Sequence, residues 1–425
     1  MARDERLSRR RVLQGAGASL VAAALSRHAH AQAPAAQPVG PYAPGTLPPG
    51  IRSRFVENIN GIRMHVLEAG HGSPRRPAVL LVHGFPELGY SWRKVMRPIA
   101  DAGFHVIAPD LRGYGRTSGT DVGFDDDLAP YRTLNQVRDL VGLVWAFGHR
   151  TTAAIVGHDF GSPLAAWCSI VRPDVFRATV LMSAPFAGTP ALPFDTADRP
   201  AAPPPPPDPI YDELARLNPP RKHYQRYFST REANQDMWRA PQGVHAFLRA
   251  YYHMKSADWA ANTPFPLAAR TAAEWAKLPR YYVMDLDKTM AETVAPEMPT
   301  PEEIAACRWL PDDELRVYSE EFGRTGFQGG LQSYRVGSSG RFAAETQTFA
   351  GRTIDQPSLF ISGKSDWGVY QNPGAVERMQ QTACTRMMGV HLVEGAGHWV
   401  QQERPDEVAR LVLDFIRRAG TGAAL

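Results

Sequence analysis

Cysteine is scarce in this chain: Cys168, Cys307 and Cys384 are the only three in 425 residues. At most one disulfide can form from them, so no disulfide framework supports the fold. No Cys-x-x-Cys or His-Glu-x-x-His spacing occurs, and neither a metal nor a cofactor is expected. An excess of one charge is also missing. Lys and Arg number 47 against 43 Asp and Glu, a net +4. Much of that excess sits in Arg3, Arg6, Arg9, Arg10 and Arg11, which argues against a nucleic-acid-binding surface. Beyond the N-terminal region no apolar run is long enough to span a bilayer. The Gly-x-Ser-x-Gly pattern of serine hydrolases is absent from the core. What remains, at 44% hydrophobic and 21% charged, is the composition of a soluble globular protein with room for a large core. Nothing in it fixes an oligomeric state.

Against these absences one stretch stands out, Gly157-His158-Asp159-Phe160-Gly161. The apolar run Ala153 to Val156 before it reads as a buried strand, and Pro163 to Val171 after it as a largely buried helix. A strand that reverses into a helix over five residues needs glycine on both sides, because larger side chains do not fit between the elements. The apex is then held strained and exposed, as in a nucleophile elbow. Here the apex is Asp159. A carboxylate there can attack saturated carbon and form an ester. By itself the pentapeptide also fits a solvated aspartate in an ordinary turn.

Around the elbow, strand and helix signals alternate. Ile51 to Glu68 reads as a hairpin turning at Asn60-Gly61. Further strands are expected at Ala78–Val82, Phe104–Ala108, Thr179–Met182, Ser358–Ser362 and Val390–Val393. Thr133 and Gln136 suggest a capping box opening a helix whose apolar face runs through Leu134, Val137, Val141, Val144 and Trp145. Asp125-Asp126-Asp127 reads as a solvated loop. Such alternation implies an α/β fold with a mainly parallel, eight-stranded sheet covered by helices on both faces. Between the sixth and seventh strands the pattern breaks. Residues 186–345 turn Pro-rich (Pro203 to Pro207 is unbroken), then helical and aromatic, and form an inserted lid. The core is therefore expected at 51–185 and 346–425.

The N-terminus carries Ser8-Arg9-Arg10-Arg11-Val12-Leu13, a weakly apolar Gly15 to Leu25, and Ala29-His30-Ala31. This resembles a twin-arginine export signal over 1–31 with an A-x-A cleavage site, although Val12 and Gln14 depart from the usual pattern. A Sec signal or an uncleaved tail are the other readings. Export to the periplasm or beyond is expected, followed by a Pro/Ala-rich linker at 32–50.

Partners for Asp159 follow in the order nucleophile, acid, histidine. Ser362-Gly363-Lys364-Ser365-Asp366-Trp367 places Asp366 beyond one strand, and Gly395-Ala396-Gly397-His398-Trp399 places His398 beyond the last. Carboxyl ends of parallel strands are where such folds do chemistry. With these residues, and with His83-Gly84-Phe85-Pro86-Glu87, the chain from Ile51 onward resembles the epoxide hydrolase family of α/β-hydrolases. The resemblance implies an oxyanion hole from the backbone N–H groups of Phe85 and Phe160. It also implies two lid tyrosines that protonate the epoxide oxygen. Gly326-Phe327-Gln328-Gly329-Gly330-Leu331-Gln332-Ser333-Tyr334 resembles one lid motif and points to Tyr334. His223-Tyr224-Gln225-Arg226-Tyr227-Phe228 points to Tyr224, with Tyr227 the alternative. His83, Pro86, Trp92 and Trp399 are expected around an apolar pocket. The implied substrates are an apolar epoxide and water, with a vicinal diol as product. Unperturbed acidities would place the active range roughly between pH 6.5 and 10. A dehalogenase would use the same ester chemistry, but it wants a halide-binding side-chain N–H where this chain has Phe85 and Phe160. A non-catalytic binding protein on this fold is the third reading.

Overall fold

The computed structural model describes residues 39–72, 76–191 and 208–422. The expected export signal, the Pro203–Pro207 run and the first part of the expected linker lie outside them. Gly40 to Leu425 forms one compact unit. The linker expectation fails from Gly40 onward, where an aromatic anchor binds the segment to the core. Tyr42 is buried, its N–H donates to Ser53 Oγ at 2.9 Å, and the Arg116 guanidinium lies 4.0 Å from its ring.

All eight expected core strands are present: β1 (Ile51–Ile59), β2 (Ile62–Ala69), β3 (Ala78–Val82), β4 (His105–Pro109), β5 (Thr152–His158) and β6 (Thr179–Met182) before the lid. Within the lid a small antiparallel pair, β7 (Arg221–His223) and β8 (Val283–Asp285), adds to the expected helices. The core then resumes with β9 (Ser358–Gly363) and β10 (Met387–Val393). The sheet order is β1-β2-β4-β3-β5-β6-β9-β10. β1 and β2 pair antiparallel, as do β2 and β4, and all later pairings are parallel. Every residue of β3, β4, β5, β6 and β9 is buried, which requires cover on both faces. Helix α1 (Arg93–Asp101) packs with the C-terminal Pro405–Ala419 helix, and α2 (Thr133–Ala146) packs with α3 (Gly161–Val171).

Two local expectations at α2 are corrected. No capping box forms: Arg132 is the N-cap, and the Gln136 amide donates to the Tyr131 carbonyl oxygen at 2.6 Å. Trp145 is 49% exposed. It lies at the helix end, where the Arg150 and Arg172 guanidiniums meet its ring. All three cysteines are free thiols, with Cys168 and Cys384 buried.

The lid lies over the carboxyl ends of the strands through close backbone contact. Its Gln328–Ser339 helix packs on the short Tyr224–Phe228 helix, and its Asp312–Thr325 helix on the Gly243–Lys255 helix. A Cβ on Gly329 would stand 2.0 Å from the Gly113 carbonyl oxygen. One on Gly330 would stand 2.9 Å from the Phe85 and Tyr114 rings. That explains the paired glycines of the second lid motif: they let the helix carrying Tyr334 descend onto the core.

Candidate active site

Sterics at the end of β5 set the position of Asp159. Its φ is +52°, in the left-handed region that a non-glycine residue adopts only under constraint. A Cβ on Gly157 would fall 1.9 Å from the Gly161 carbonyl oxygen, and one on Gly161 would fall 2.3 Å from that of Val82. Both glycines are therefore required by close approach. Gly84 has the same role opposite, since its Cβ would meet the Asp159 side chain at 2.4 Å.

The carboxylate is partly buried and reachable, with 14% of its side chain exposed. Oδ1 accepts the Phe85 N–H at 2.9 Å. Oδ2 lies 3.4 Å from His398 Nε2, a contact without hydrogen-bond geometry that leaves that nitrogen's lone pair unengaged. The Phe160 N–H makes no hydrogen bond to the carboxylate. Burial alone would raise the pKa of Asp159. The contact with His398, and the charges of His398, Lys255 and His158, outweigh it and hold the group well below the usual carboxylate range.

His398 is oriented by Asp366, whose Oδ1 lies 3.1 Å from Nδ1. Asp366 also accepts from Ser362 Oγ at 2.9 Å and from the Gly368 N–H at 2.7 Å. Burial pushes Asp366 up, but the charge and hydrogen bond of His398, with the Gly368 N–H and the Ser183 hydroxyl, pull it below its ordinary value. A carboxylate only accepts, so Nδ1 carries the proton and Nε2 is the basic nitrogen.

Beneath the elbow lies a buried pair that motif reading missed. His158 Nδ1 is 2.6 Å from Glu87 Oε2, and its Nε2 is 2.7 Å from the His398 carbonyl oxygen. Both partners only accept, so both ring nitrogens donate and His158 is an imidazolium. Its pKa is accordingly shifted up, burial being overcome by Glu87, while the pKa of Glu87 is shifted down. Both residues belong to motifs already singled out, which is the signal that could have found them.

Tyr224 and Tyr334 meet over the elbow with ring centroids 6.1 Å apart, and the Tyr334 ring lies 4.4 Å from Phe160 and 5.4 Å from Phe85. The Tyr334 hydroxyl has no hydrogen-bond partner among the described residues. Tyr224 Oη contacts Gln371 at 3.5 Å and Gln225 at 3.2 Å. Tyr227 points elsewhere and donates to Asp236 at 2.9 Å. Tyr114, Tyr251 and Tyr282 add three further phenols close enough to feel the charge of Asp159. They come from distant segments, and no local pattern announces them.

The four expected pocket residues are framework instead. His83 is fully buried, with Nδ1 2.8 Å from the Gly84 carbonyl oxygen and Nε2 accepting the Leu111 N–H at 3.0 Å. The Pro86 carbonyl accepts the Tyr252 hydroxyl at 2.8 Å. Trp92 is fully buried, and among the described residues it makes no ring contact with the site. Trp399 stacks on Tyr252 at 4.2 Å and presents its ring to His398 at 4.7 Å, so it backs the imidazole. The wall facing Asp159 is thus richer in phenols than the sequence suggests.

Residues 77–208 match the family model of the α/β-hydrolase fold, the class this sheet and loop arrangement define. Among curated proteins, epoxide hydrolase A of Mycobacterium tuberculosis is 33% identical over 86% of this chain and 98% of its own length. Epoxide hydrolase B of the same organism is 31% identical over 84% and 96%. Among solved structures, an epoxide hydrolase from an endophytic Streptomyces superposes with a TM-score of 0.65 at 31% identity, covering 87% of this chain and 96% of that one. The chain belongs to the epoxide hydrolases, enzymes that act on an epoxide with water.

Proposed function

We propose that Asp159 performs this hydrolysis covalently. The observation that carries the reading is the division of its carboxylate: Oδ1 rests on the Phe85 amide while Oδ2 faces His398. Oδ2 attacks one epoxide carbon. The ring C–O bond breaks, and the epoxide oxygen takes a proton from Tyr224 or Tyr334. An epoxide oxygen needs such a donor because the alkoxide is about as basic as hydroxide, near ~15.7. His398 then removes a proton from water, which adds to the ester carbon. The oxyanion forms at Oδ1, held by the Phe85 N–H and that of Phe160. Collapse releases the diol.

The test is a single turnover in oxygen-18 water. The label is expected in the protein, on Asp159, and absent from the first diol released. Label in that diol would show direct attack of water on the epoxide and end this reading. The packed aromatic rings around Tyr334 favour an apolar epoxide over a small hydrophilic one.

The same proposal extends to location: the twin-arginine-like Ser8–Leu13 segment directs export. Replacing Arg9 and Arg10 by lysine is expected to retain the protein in the cytoplasm, read by cell fractionation. Unchanged export would exclude that route.

A further inference from the structure

Lys255 ends the Gly243–Lys255 lid helix and is 2% exposed. Its ammonium has no hydrogen bond or short ion pair with any described residue. Four rings surround it, with centroids at 5.2 Å (Tyr282), 5.3 Å (Trp399), 5.4 Å (Tyr251) and 5.9 Å (Tyr281). Ring faces hold a cation but supply no counter-charge.

A buried charge without an adjacent partner is costly unless a more distant one balances it. The negative groups facing Lys255 are Asp159, Asp366 and Glu87. Glu87 is committed to His158, and Asp366 to His398. Asp366 is further satisfied by the Ser362 hydroxyl and the Gly368 N–H, whereas the Asp159 carboxylate accepts, among the described residues, the Phe85 N–H alone, and it is the group whose charge leaves during turnover. Two of the caging rings also touch the chemistry: Trp399 abuts His398, and Tyr282 lies 5.2 Å from Tyr224. The Lys255 carbonyl, moreover, accepts the His398 N–H at 2.8 Å, which fixes the helix end against the catalytic loop.

We propose that Lys255 is a positioning residue for the covalent step: a lid cation that balances the one mobile negative charge as it passes from Asp159 to a lid phenol and back. The proposal rests on the ester reading above. When Oδ2 bonds to carbon, the electron pair of the broken C–O bond goes to the epoxide oxygen, which takes the phenolic proton and leaves a phenolate. In the second step His398 passes the water proton to the departing alkoxide. The carboxyl regenerated on Asp159 gives up its own proton as the phenolate is reprotonated. The negative charge thus begins and ends on Asp159. Burial pushes the ammonium down from its ordinary range, and the facing carboxylates pull it back up.

The experiment compares Lys255→Met and Lys255→Arg in the full chain, following adduct formation with styrene oxide by rapid quench and intact mass. Lys255→Met is expected to slow adduct formation about tenfold and to move the acid limb of that step upward by about half a pH unit or more. Lys255→Arg is expected to restore both to within a few-fold. If the methionine variant does not fold, Lys255→Gln takes its place. A folded neutral variant with wild-type rate and acid limb overturns the proposal. So does a folded arginine variant that stays as slow as the neutral one. Adduct formation in His398→Ala separates the two levels: none there defeats the ester reading itself, whereas adduct there alongside an unaffected Lys255→Met defeats only the role of Lys255.

Discussion

The His398→Ala enzyme is expected to lose about three to four orders of magnitude in kcat, yet to capture substrate covalently. Nε2 is the one unprotonated ring nitrogen facing Asp159, and nothing else described within contact of the carboxylate can take a proton from water at neutral pH. His158, the neighbouring imidazole at a 5.0 Å ring separation, already donates from both nitrogens and cannot substitute. Ring opening needs only the ionised Asp159 and a phenol, so that step survives. Intact mass after mixing with an epoxide should show the protein heavier by one substrate, and peptide mapping should place the adduct on Asp159. A variant that binds substrate only reversibly would contradict the scheme and favour a binding role for the fold.

The second large effect concerns the phenols. Tyr224→Phe or Tyr334→Phe alone should slow ring opening about 10²-fold, and the double variant should lose more than either. Asp159 and His398 remain in place, so it is formation of the adduct that falls. The pH dependence distinguishes this from a packing defect. Unperturbed phenols would lose their protons near pH 10. Burial, with Asp159 close to both, raises Tyr224 and Tyr334 above that value. A group held in its protonated form keeps the activity that depends on that form until the pH passes its raised value. The alkaline limb of the wild-type enzyme is therefore expected above about pH 10. A limb well below that, or a double variant with an unaltered rate of adduct formation, would remove the tyrosines from the mechanism.

Much of the core was legible from the chain alone, and for a physical reason. Continuous apolar runs such as Ala78–Val82 can be satisfied only between two helical layers, and glycine marks where the chain must turn against a neighbour. The elbow and its two partners sit at strand ends, so their order along the chain carries their placement in space. Choosing between Tyr224 and Tyr227 needed three dimensions, because both lie on one short aromatic helix and only the packing shows which hydroxyl is spent on Asp236. Lys255, Tyr251 and Tyr282 were invisible for a related reason. Their meaning comes from how the lid folds onto the core: helical periodicity reads Tyr251 and Lys255 as ordinary residues of an amphipathic segment, and Tyr282 lies in the turn before β8. The pocket expectation erred in the same way: Trp92 and Trp399 neighbour the motifs in sequence, but their rings turn into the framework.

The junction between lid and core carries a practical consequence for engineering. Glu403 receives the N–H groups of Ala257, Gly397 and Trp399 at 2.8 to 3.0 Å, and a Cβ on Gly397 would strike the backbone at Ser256 and Lys255. Chimeras that exchange the whole insert to change substrate preference would unseat the general base along with the old specificity. A graft ending before residue 250 leaves that seam intact and is the form in which such exchanges should retain turnover.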